Sequence, residues 1–144
     1  MESQERTIGH LHLENGLSVY FIAQSSTPIA GRCQVRLLIR VPVQPIKDHF
    51  RNSHNPSQAL FEFISLAGPG PVEFQTLKIR NFIDMNDVEK KLNEMKDDFI
   101  GLGLEYLKKP DFAAKFITKK YDEFCAKEAL RRAQEKYWEE REGN

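Results

Sequence analysis

Two imidazoles at a spacing of two open the chemical reading: His10 and His12 fall within "TIGHLHL". In an extended strand such a pair shares one face, where two ring nitrogens can reach a single metal ion. Further ligands would have to come from elsewhere, and His49 and His54 are the remaining histidines. The other reading is two half-exposed rings on the wet side of a sheet. No CxxC, HExxH or acidic calcium loop is present, so nothing in the spacing demands a metal, and no cofactor is implied. Cys33 and Cys125 are equally unassertive. Cys33 falls on the inward face of a strand, where a free thiol behaves as a small hydrophobe. Cys125 lies beside Phe124 in a helix, and no serine lies in a GxSxG context. No catalytic residue emerges, and an enzyme is the least supported class.

A second group is basic. "GRCQVRLLIRVPV" sets Arg32, Arg36 and Arg40 four apart, with Cys33, Val35, Leu37, Ile39, Val41 and Val43 between them. Strict period two buries the odd positions and turns Gln34, Arg36, Leu38 and Arg40 to the opposite face. On the same reading neighbouring strands add Tyr20 and Ile22 to that face, and a fourth strand adds Lys78 and Arg80. Basic groups interleaved with an aromatic form the minimal recipe for single-stranded nucleic acid. Two other readings compete with it. Long arginine stems can cover apolar neighbours while their heads stay wet. Alternatively, Ile22 and Leu38 form the centre of a homodimer contact with an arginine rim. A third candidate is the junction "RNFID", where Phe82 and Ile83 pack at a corner and Arg80 pairs with Asp84 beside Asn81; a binding site at this corner is the sharper alternative.

The elements that position these residues follow from pattern. "TIGHLHL" and "LSVYFIA" alternate about the turn "ENG", and residues 33 to 43 make a third, longest strand. Asn55, Pro56 and Gln58 start a helix that Gly68 stops, although residues 60 to 66 also read as a strand. "VEFQTLKIRNFI" is a fourth strand with imperfect alternation. Asn86 and Glu89 form a capping box for a helix that weakens at Gly101 and Gly103, with Asp84 as the cap instead if that helix begins earlier. Pro110 opens a last helix carrying Phe112, Phe116, Ile117, Tyr121 and Phe124, then Leu130, Ala133 and Tyr137. The expected fold is α+β in two layers: a four-stranded antiparallel sheet, ordered β-β-β-α-β-α-α, with the C-terminal helices packed on one face. Residues 1 to 144 read as a single domain, with the last helix projecting or pairing with a partner beyond about 128.

Several pieces together resemble a family of small uncharacterised bacterial proteins: "LENGLSVYF", "TPIAGRCQVRLLIRVPV", "RNFIDMNDVEKKL" and "YLKKPDFAAKFITKKYDEF". The resemblance rests on a G-R-x-x-V-x-L strand and a later R-N-F-I-D segment opening a helix. It implies a bacterial, cytoplasmic, stand-alone domain and carries over no functional residue. Cys33 stands where the resemblance leads one to expect a larger side chain.

Bulk composition narrows the partners. Twenty-one basic and twenty-one acidic residues cancel, which leaves no long-range field toward nucleic acid or an anionic membrane. Two cysteines make no disulfide framework, the first residues lack the apolar run of a signal peptide, and no apolar stretch is long enough to span a bilayer. The expectation is a cytoplasmic interaction or adaptor protein, with a homodimer as one form, whose partner is another protein or itself. Nucleic-acid binding is the alternative, and a small histidine-based enzyme or metal-binding protein stands behind it.

Overall fold

The computed structural model describes residues 4–142. The expected order of elements forms: β1 (Glu5–His12), β2 (Ser18–Gln24), β3 (Arg32–Val43), α1 (Pro56–Ala67), β4 (Val72–Asp84), α2 (Val88–Leu102), a one-turn α3 (Leu104–Leu107) and α4 (Phe112–Glu142). The four strands lie in the order β1-β2-β3-β4 in one antiparallel sheet, giving with the helices the two-layer α+β class. The chain divides into two compact units. One takes the residues through Val43 together with Glu73–Phe112; the other takes Gln44–Val72 together with the residues from Ala113 onward.

In the first unit, alternation decides the core. Val19, Phe21 and Ala23 of β2 and Val35, Leu37, Ile39, Val41 and Val43 of β3 all point to one face and are buried. Across them runs α2, with Leu92 and Met95 buried and Phe99 edge-on to Phe21 at 6.0 Å. The β1–β2 turn closes at Gly16, whose φ of 90° suits glycine. Asn15 does more there than turn the chain, since its amide nitrogen donates to the carbonyls of Leu107 (2.8 Å) and Lys109 (3.0 Å). The β2–β3 connection is tighter than its polar sequence suggests. Ile29 and Arg32 exchange both backbone hydrogen bonds around Ala30 (φ 52°) and Gly31 (φ 75°), as in a two-residue I′ hairpin.

A break in the β1–β2 register falls between Thr7 and Gly9, leaving Ile8 as the extra residue. Side chains therefore change face there. Beyond the bulge Glu5 lies opposite Gln24 on the face away from α2, while Arg6 lies opposite Ala23 and binds Glu89 of α2.

The head of α2 uses the alternative cap, Asp84, rather than Asn86. Asn86 does not cap it; the Asp84 carboxylate accepts from the Asn86 amide at 2.9 Å and caps a short 3-10 turn, after which α2 starts at Val88. Phe82, expected to pack at this corner, is 82% exposed, because its φ of 60° turns it out of the strand alternation.

The second unit is built on rings. Residues 56–67 are helix, with Asn55 accepting from the Gln58 amide at 3.2 Å, Pro56 in the first turn, and Gly68 ending it at φ 90°. Phe50, Phe63, Tyr121 and Phe124 pack with centroids 5.6–6.3 Å apart, and Ile117 is fully buried.

Candidate interaction surface

The outer sheet face carries a bonded polar mat rather than a free basic track. Tyr20 lies opposite Arg40, Ile22 opposite Leu38, and Gln24 opposite Arg36. Arg36 donates to the side-chain carbonyls of Gln24 (3.1 Å) and Gln34 (2.8 Å), and Gln34 passes the chain of bonds to Asn81 (2.9 Å). Arg40 sits between two carboxylates, Glu73 at 3.1 Å and Glu5 at 3.9 Å. Its Nε makes the closer approach as an ion pair without the alignment of a hydrogen bond. The bulge in β1 is what brings Glu5 to this side.

Two expectations about this face are overturned. Ile22 and Leu38 are only 5% and 7% exposed, so they form no apolar centre for a dimer. They face each other between the half-buried Tyr20–Arg40 and Gln24–Arg36 pairs, the arrangement in which long stems shelter apolar neighbours. Lys78 and Arg80 do not join Arg36 and Arg40. Odd positions of β4 face the mat, through Glu73 and Asn81, so even positions face the other way. Lys78 and Arg80 accordingly line a cavity of about 480 Å³ with Met95, Asp98, Phe99 and Leu102 of α2. The proposed nucleic-acid residues are thus split between opposite faces, and those on the outer face are interleaved with acids.

The junction is divided as well. Arg80 donates to the carbonyl of Ile79 (2.9 Å), Asn81 accepts from Gln34, and Asp84 holds the Asn86 amide, so Arg80 and Asp84 are engaged separately. His10 and His12 do come together, edge-on at 5.5 Å. However, His10 stacks at 6.0 Å on Tyr20 and Nδ1 of His12 shares a 2.8 Å hydrogen bond with Ser18. Among the described residues no three or more His, Cys, Asp or Glu side chains gather as a metal site.

The surface that stands out is on α4, and it comes from a change of face along one helix. Ile117, Tyr121, Phe124 and Glu128, spaced four, three and four, make the side that packs in the second unit. Ala126, Leu130, Ala133 and Tyr137 repeat the same spacing but fall roughly opposite at 3.6 residues per turn. From Ala129 to Glu142 every residue is exposed; Leu130 is 60%, Tyr137 50% and Trp138 60% exposed.

No family model, curated protein or solved structure matches this chain.

The surroundings of the stripe are ordered by local pairs. Glu128 accepts from Arg131 (2.7 Å) and Arg132 (3.2 Å), and Arg131 also binds Glu135. The Arg131 hydrogen bond holds the Glu128 carboxyl below its ordinary range. Such exposed pairs are screened by water and add little to the stability of the helix. Arg141 lies over the Tyr137 ring at 5.5 Å and donates to its hydroxyl at 2.6 Å, while Trp138 meets that ring edge-on at 5.7 Å. An aromatic pair is therefore fixed by Arg141, and Leu130 stands exposed, on a helix whose own packing face lies on the other side. The sequence contained the signal: the step from Phe124 to Leu130 is six residues, which neither three, four nor seven can produce on one face. Among the described residues no helix is long and apolar enough to cross a membrane.

Proposed function

We propose that this chain is a small cytoplasmic interaction or adaptor protein that works as a homodimer, with the exposed end of α4 as the contact. The apolar stripe Ala126–Leu130–Ala133–Tyr137, turned away from the face by which the helix packs, carries this reading. A helix does not gain from placing Leu and Tyr in water on its free side, whereas burial against a second helix recovers roughly 1.5–3 kcal/mol for each large side chain. Two thiols outside any disulfide accord with a reducing compartment, and the family resemblance with a bacterial one.

Such a contact is short. The stripe spans about 16 Å of helix axis, well below a standard interface of about 800 Å² per partner. The dimer is therefore expected in exchange with monomer. Native mass spectrometry and sedimentation over a wide concentration range test the proposal. A dimer whose fraction rises with concentration is the expected result. A single monomer mass at the highest attainable concentration sinks it.

A further inference from the structure

Resting on that reading, we infer that the two copies of α4 pair antiparallel, in the register that sets Ala126 of one copy opposite Tyr137 of the other and Leu130 opposite Ala133. The stripe repeats at four, three and four, the spacing of core positions in paired helices. Its residues alternate small and large: Ala126, Leu130, Ala133, Tyr137. Antiparallel pairing reverses the order of the second helix, so each large side chain meets a small one and each layer has a similar volume. Parallel pairing would put like on like. Two alanine layers would then be thin, and the Leu130 and Tyr137 layers would be crowded.

The flanking charges do not separate the two arrangements, so the alternation of small and large side chains carries the orientation. The antiparallel register brings Lys127 toward Gln134 and Ala129 toward Lys136 but sets Glu123 opposite Glu140 of the other copy. Parallel helices place Lys136 beside Arg141, which repels, and Asp122 beside Lys127, which attracts. Glu123, already bridged to Lys120 at 3.2 Å, and Glu140 end the apolar seam on either side. The self-complementary order also fits a two-fold contact, in which each residue's partner is the mirror position in the same stripe.

Single-cysteine chains decide the matter. In a background of Cys33→Ser with Cys125→Ser, Ala126→Cys and Tyr137→Cys are each made in the full chain, oxidised alone, and oxidised as a mixture. All of these substitutions but Cys33→Ser lie at exposed positions of α4, so each variant's fold is checked independently by circular dichroism. Antiparallel pairing sets position 126 of one copy about 16 Å along the axis from position 126 of the other. The mixture is therefore expected to form a disulfide heterodimer between positions 126 and 137 at least tenfold in excess of either homodimer. Rapid self-linking of Ala126→Cys alone would overturn the orientation while leaving the dimer standing. A chain that is monomeric by mass at every concentration, and links in no combination, would overturn both.

Discussion

At the scale of single residues, the I′ turn between β2 and β3 asks for two left-handed residues and receives one glycine. Ala30 at φ 52° carries a steric penalty that Asn tolerates better. Ala30→Asn is expected to raise stability by about 1 kcal/mol, read as a higher urea midpoint with an unchanged slope. Tyr121 offers a different handle. Its hydroxyl donates to Glu62, and that bond, with burial behind it, pushes the phenol up to about 12 from 10.0. The folded chain then holds this proton more tightly than the unfolded one, so the contribution is intact below about pH 10 and is lost as pH rises toward 12. Tyr121→Phe should flatten that alkaline decline in unfolding titrations; an unchanged decline would assign it to other groups. Neither feature is legible in the sequence. The turn hides in a stretch that reads only as polar connection, and the Tyr121–Glu62 bond joins residues from different elements.

At the scale of elements, the two glycines that close α2 have opposite roles. Gly101 has open space where a Cβ would stand, so Gly101→Ala should stabilise the helix by roughly 0.5–1 kcal/mol. At Gly103 the same atom would fall 2.6 Å from the ring of Phe99, which is itself packed against Phe21. Gly103→Ala should therefore cost about 1–3 kcal/mol through overpacking. Thermal melts of the pair, moving in opposite directions, check this. The sequence places both glycines at a weakening of the helix, and α2 does end at Leu102, but the need for room at Gly103 comes from a ring one turn back. Strands are the most readable elements, because the core face writes itself as period two in Val19–Ala23 and Val35–Val43, even though Ile22 and Leu38 on the other face are covered as well. The face assignment of β4 is not readable in the same way: its hydrophobic positions fall on both parities, and only the contacts of Glu73 and Asn81 show which side faces the mat. Pattern alone therefore groups Lys78 and Arg80 with the wrong partners. A one-residue bulge at Ile8 likewise moves Glu5 to a face that simple alternation denies it.

At the scale of the whole molecule, the proposed self-association depends on the separation of packing from contact along α4. If the stripe serves only association, Leu130→Glu should abolish the dimer and leave the melting temperature of the monomer unchanged within about 2 °C, since surface substitutions outside special features shift stability by less than about 0.5 kcal/mol. A large fall in monomer stability would instead make Leu130 part of the fold. The zero net charge, read from composition alone, accords with this picture because it leaves little repulsion between copies. Where in the chain the proposed contact lies is only half legible. The tail beyond 128 stands out by its length and the six-residue step from Phe124 to Leu130 marks a change of face, while which of the two faces packs shows only from the contacts of Tyr121 and Phe124.

The division of the chain into two units also bears on how it is made. The segment Gln44–Val72 belongs to one unit, yet it interrupts the other between β3 and β4. A ribosome delivers β1, β2 and β3 first, and then a helix whose companions in α4 have not been synthesised. Until residues 72–84 emerge, the long apolar strand β3 has an open edge, and the rings of Phe50 and Phe63 have no Tyr121 or Phe124 to meet. Neither unit can close on a half-made chain. The nascent protein therefore passes through a stage with an unpaired strand and unburied aromatics, the interval in which a chaperone would find most to hold.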